Sequence, residues 1–94
     1  MRALICRAWG GVDTLEMGEM PAPVPGKGEI LIDIVASSAN FADTIMVAGN
    51  YQTKPEFPFA PGLEGAGRVA AVGQGVAGFK PGDNVMATLA HGGF

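Results

Sequence analysis

The clearest pattern along the chain is Glu29 to Ser37, EILIDIVAS, a β-branched and nearly continuous apolar run. Ile30, Ile32 and Ile34 fall on one face and Leu31, Asp33 and Val35 on the other, which predicts a central strand. Arg2 to Trp9 is a second apolar run, closed by Gly10 and Gly11, and Leu15 to Met20 is a third, ending in Pro21, Pro23 and Pro25. Runs bounded in this way read as strands, and these two are expected to pair as a hairpin. Val24-Pro25-Gly26-Lys27 and Lys80-Pro81-Gly82-Asp83 each put proline and glycine at the central positions of a type II turn. Arg68 to Val72 and Asn84 to Leu89 read as strands on either side of the second turn.

The period changes at Asn40. An N-cap type of residue precedes Phe41, Ala42, Ile45 and Met46, Asp43 falls in the first turn, and Gly49 supplies a stop, so a helix of two to three turns is expected. From Asn50 to Pro61 the chain carries Pro55, Pro58 and Pro61 among aromatic residues, which predicts an ordered loop without a regular hydrogen-bond ladder. The sum is one mainly β domain over residues 1–94 with one short helix.

Composition narrows the function classes. Charged residues make up 16% of the chain and apolar residues 48%, so part of the apolar surface is expected to meet a partner. The net charge is -3 and the six basic residues are scattered, leaving no basic stripe for a nucleic acid. A single cysteine, Cys6, forms no internal disulfide, which suits a reducing compartment with the cytoplasm as default. No segment approaches the ~18 apolar residues of a membrane span, so a soluble protein without membrane partners is expected. Cys6 inside a strand reads as a buried, inert thiol, and Met17, Met20, Met46 and Met86 as fillers of core gaps. His91, among glycines and without a carboxylate at a telling spacing, reads as an exposed turn histidine.

Gly73-Gln74-Gly75-Val76-Ala77-Gly78 is a literal GxGxxG after a strand. It is rejected as a dinucleotide loop, because that chemistry requires a helix to open at the last glycine, and Phe79-Lys80-Pro81-Gly82 is a turn. Gly65-Ala66-Gly67 fails similarly, since RVAAV after it favours a strand.

The segments ANFADTIMVAGNYQTKPEFPFAPGLEGAGRVAAVG and GFKPGDNVMA resemble the zinc-free quinone oxidoreductase (zeta-crystallin-like) branch of the medium-chain dehydrogenase/reductase superfamily. The resemblance implies a GroES-like, partly open β-barrel carrying half of an active site, truncated here on its C-terminal side. It also implies a Rossmann domain that binds NADPH but is absent from these residues. The whole protein is then expected to be a homodimer that passes hydride from NADPH to a quinone or similar electron-poor acceptor, with this portion inactive alone. Zinc-dependent members of the superfamily would carry a cysteine at Asn40 and a histidine at Leu63, so no metal is expected here.

The site residues that the resemblance implies are Asn40, Phe41, Asp43, Thr44 and Ile45 facing the cofactor, and Tyr51 at the substrate cleft. Asn40 equally suits a helix cap, Asp43 a favourable first-turn charge and Tyr51 a loop residue packed on prolines. Ile45 stands where relatives often carry a tyrosine, so a ring or hydroxyl contact is lost. Two other readings stay open: a free-standing GroES-like binding or assembly module, and an enoyl-thioester reductase on the same barrel.

Overall fold

The expected hairpin is present in the computed structural model, which describes residues 1–94. Strand β1 (Arg2–Ile5) pairs antiparallel with β2 (Glu16–Glu19), and a single 3-10 turn at Val12–Thr14 lies in the connection. The first apolar run does not stay in the hairpin as far as Trp9. At Cys6 the backbone changes partner and exchanges hydrogen bonds with Phe59 of the long loop, N to O 2.8 and 3.1 Å. This single bridge is the only ladder-like pairing of the proline-rich segment.

A second, antiparallel sheet has the order β3-β4-β5, with β3 at Ile30–Ser37, β4 at Glu64–Val72 and β5 at Asn84–Thr88. The expected alternation along β3 is not kept. Irregularities at Leu31/Ile32 and Ile34/Ala36 each shift the side-chain phase, so Ile30, Leu31 and Ile32 are all half-buried while Val35 is exposed. Strand β4 begins at Glu64 rather than Arg68, despite two early glycines. Those glycines are set by approach to β3: a Cβ on Gly67 would lie 1.9 Å from the Asp33 carbonyl oxygen.

The turn at Lys80–Asp83 is as expected, closed by Asp83 N–H to Lys80 O at 3.1 Å with Gly82 at φ +95°. The earlier turn lies two residues beyond Val24–Lys27. It runs from Gly26 to Glu29, closed at 3.0 Å, and Gly28 takes the positive φ of +77°. The shift follows from docking, since Gly28 N–H donates to Gln74 O at 2.9 Å and Gly26 lies against Gly73. The GxGxxG stretch is the other side of that contact, a turn between β4 and β5 with no helix after it.

Helix α1 (Phe41–Val47) follows the expected span. Asp43, Met46 and Val47, at i, i+3 and i+4, form its buried face. It stops in a Schellman arrangement, with Gly49 N–H on Met46 O and Asn50 N–H on Ile45 O, both 3.0 Å, and Gly49 at φ +81°. The Trp9 ring closes over Gly49 and meets Phe57 edge-on, centroids 4.5 Å apart.

The core is divided between two small clusters. Cys6, Met46, Val47 and Phe59 form one, edged by Leu15, Tyr51 and Leu63, and Ala3, Ile5 and Ala60 form the other, edged by Met20. Met46 and Met20 pack as expected, but Met17 and Met86 are 58% and 87% exposed, because no second layer covers the outer faces of β2 and β5. The architecture is mainly β with open sheets and one α-helix, and no helix is long and apolar enough to cross a membrane.

Gly67→Ala must push β3 and β4 apart, because the new methyl meets backbone rather than a mobile side chain. A loss of at least ~2 kcal/mol is expected in chemical denaturation. Gly75→Ala, with open space at the new Cβ, is expected to lose only the smaller cost of its positive φ.

Candidate functional site

The short helix brings the site together through one buried carboxylate. Asp43 is 5% exposed, and its two oxygens accept from different stretches of backbone: Oδ2 from Asn40 N–H at 2.8 Å and Oδ1 from Gly62 N–H at 3.2 Å. The first contact is the back-reaching arm of a capping box. The second fixes the Pro61–Leu63 bend that leads into β4. The reciprocal arm, from Asp43 N–H to the Asn40 side chain, is the weaker one, since that N–H makes its bond to the Asn40 carbonyl at 3.0 Å.

With the helix start and the β4 start held in this way, Asn40 and Glu64, 24 residues apart, face each other, Nδ2 to Oε2 3.4 Å. Ser38 lies between them. Its hydroxyl donates to Glu64 Oε2 at 2.5 Å and accepts from Asn40 Nδ2 at 3.2 Å. The neighbouring Ser37 hydroxyl donates to the Gly93 carbonyl, and Gly93 N–H donates to Gly62 O at 3.1 Å, tying the far end of the chain to the same bend. Ser38 and Glu64 line a shallow recess of about 550 Å³ whose walls also include Ser37, Met86 and Thr88.

The Ser38 hydroxyl, and after it the Asn40 amide, hold the Glu64 carboxyl below the usual carboxylate range. A lowered folded-state pKa means that this interaction supports the fold above the unfolded-state value. The support is lost as the pH falls through the folded-state value.

Of the residues singled out from sequence, Asn40 lies in this group. Phe41 stands beside it 80% exposed, and Thr44 shares the outer face of α1, its hydroxyl donating to Phe41 O at 2.6 Å. Ile45 is half-buried. Asp43 is turned inward and shapes the site without facing it. Tyr51 packs on the Cys6–Met46–Val47–Phe59 cluster, and no hydrogen bond joins it to Ser38, Asn40 or Glu64. Leu63 packs on the same cluster, filling with hydrocarbon the position that would carry a histidine ligand in zinc-dependent relatives.

No three His, Cys, Asp or Glu side chains converge as a metal-binding group. Neither Ser38 nor Glu64 is among the residues singled out from the sequence. The available signal was a hydroxyl two residues before the helix cap. Cys6 is buried as expected, and burial pushes its thiol pKa up. His91 is exposed, with its ring edge-on to Phe59 at 6.0 Å.

Two predictions follow from this geometry. Asp43→Asn keeps the volume but replaces one accepting oxygen with an NH₂ that faces a backbone donor, so a loss of ~1–3 kcal/mol is expected in urea unfolding. Ser38→Ala removes the shortest bond to Glu64, and a ¹³C-detected carboxyl titration should show the Glu64 midpoint moving up toward the ordinary value.

Comparison with known proteins gives a consistent result. Residues 26–93 match the family described as "Alcohol dehydrogenase GroES-like domain". The chain is 42% identical over 88 residues to the human synaptic vesicle membrane protein VAT-1 homolog, covering 92% of this chain and 22% of that protein. It is 38% identical over 89 residues to the quinone oxidoreductase of Lama guanicoe, covering 94% of this chain and 27% of that one. Among solved structures, Escherichia coli quinone oxidoreductase complexed with NADPH superposes with a TM-score of 0.86 at 32% identity, covering 95% of this chain and 27% of that chain. The chain thus spans about a quarter of the length of these relatives.

Proposed function

Because this chain belongs to the alcohol dehydrogenase GroES-like domain family, we propose that it is the N-terminal catalytic portion of an NADPH-dependent oxidoreductase. The reaction is zinc-independent hydride transfer to a quinone or similar electron-poor acceptor. The observation that carries this reading is the exposed group of Ser38, Asn40 and Glu64, with Phe41 beside it, at the junction of β3, α1 and β4. Likeness to quinone oxidoreductases, one of them complexed with NADPH, supports the same reading.

The residues fit a nicotinamide edge. An amide can hydrogen-bond a carboxamide or ribose hydroxyl, and an exposed phenyl ring gives a flat apolar surface for a ring to lie against. When bound, the cofactor supplies the hydride, and the acceptor takes up that hydride and one proton to become the hydroquinone. This chain's part is orientation. Asn40 sets the edge that is presented, Phe41 shields one side from water, and Asp43 keeps both in place from behind. A quinone accepts hydride without Lewis-acid activation, which agrees with an amide and a leucine at positions 40 and 63. Phosphate binding belongs to a Rossmann domain outside these residues, and the reading includes a cytoplasmic homodimer.

The intact protein is expected to oxidise NADPH in the presence of a quinone, with activity unchanged by a zinc chelator. Asn40→Ala should lower kcat/KM roughly tenfold, the equivalent of ~1.4 kcal/mol. Absence of quinone-dependent NADPH oxidation, or its loss to the chelator, would refute this reading.

A further inference from the structure

Three oxygens surround the nitrogen of the Asn40 amide: Ser38 Oγ at 3.2 Å, Glu64 Oε2 at 3.4 Å and the Ser38 carbonyl at 3.5 Å. The Ser38 hydroxyl hydrogen is already committed to Glu64 at 2.5 Å. Turning the amide over would therefore set Asn40 Oδ1 against a carboxylate oxygen and a carbonyl oxygen with no donor between them. That arrangement is repulsive, so the amide has one stable sense.

At the other end of the amide, Oδ1 receives only the weaker arm of the capping box from Asp43 N–H, whose main bond goes to the Asn40 main-chain carbonyl at 3.0 Å. Oδ1 keeps accepting capacity. Ser38, Asn40 and Glu64 are all exposed, so their mutual bonds add little to stability. What they fix is direction.

We infer that Glu64, acting through Ser38, is a positioning residue that holds the Asn40 amide nitrogen toward its carboxylate and thereby offers the Asn40 oxygen to a hydrogen-bond donor on the ligand. The donor is a carboxamide NH₂ or a sugar hydroxyl of the dinucleotide, an identity that rests on the activity proposed above. The polarity of the recognition is then written in Glu64, which need not touch the ligand itself.

The test exchanges the two groups in the intact protein. Asn40→Asp faces Glu64 with a second carboxylate and should raise the KM for NADPH at least roughly tenfold, with a smaller effect on kcat. Adding Glu64→Gln restores one amide and one carboxylate, keeps an oxygen at position 40, and should bring KM back to within roughly threefold of the wild type. Relief of charge repulsion alone would also restore KM, so the Asn40 side-chain resonances separate positioning from repulsion. A double variant no better than Asn40→Asp, or a Glu64→Ala variant with unchanged KM, overturns the inference.

The side-chain NH₂ resonances of Asn40 supply a readout independent of turnover. They should be distinct and slow to exchange in the wild type, and should move to free-amide positions in Glu64→Ala while the backbone spectrum is retained. Unmoved resonances overturn the positioning role. If the wild type neither binds nor oxidises NADPH, the proposed activity fails, and the Asn40 resonances still decide whether Glu64 orients the amide.

Discussion

The Asp43 carboxylate is the constraint on which the rest of the arrangement hangs. It is buried, it accepts from the backbone of Asn40 and of Gly62, and so it joins two segments that share no strand pairing. A buried carboxylate without partners is costly, and backbone N–H groups without acceptors are costly too, so the two contacts hold each other in place. With that joint made, the start of α1 and the start of β4 have one relative placement. The exposed hydrogen-bonded group around Glu64 lies on the joint. Site geometry here is set by a residue that does not face the site.

Much of the fold was legible in the sequence because it depends on local chemistry. The β-branched run gave β3, the glycine after Ala48 gave the helix stop, and Pro81-Gly82 gave its turn unaided. The parts that escaped depend on contacts between distant residues. The expected strand began at Arg68, yet β4 also takes in Gly65 and Gly67, and at Gly67 the backbone of β3 comes too close for a side chain. Gly28, not Gly26, took the left-handed turn position because of its bond to Gln74, which no local rule contains.

The site divides along the same line. Asn40 announced itself through the change of period, whereas Ser38 and Glu64, 26 positions apart, acquire meaning only when the chain between them folds back. Tyr51 and Leu63 both pack on the Cys6–Met46–Val47–Phe59 cluster, a neighbourhood that depends on distant segments meeting and that no local pattern announces. Met17 and Met86 looked like core residues by type, but burial is decided by whether a second layer exists on that side.

The packing of Trp9 has an optical consequence. It is the only tryptophan in the chain, its ring covers the glycine that ends α1, and it meets Phe57 of the proline-rich loop edge-on. Its emission colour therefore follows the local polarity at the seam between helix stop and loop. The ring is already 41% exposed, so loosening of that seam would uncover its remaining, packed part and shift the light further to the red; the protein carries its own fluorophore at the place where helix and loop lock together.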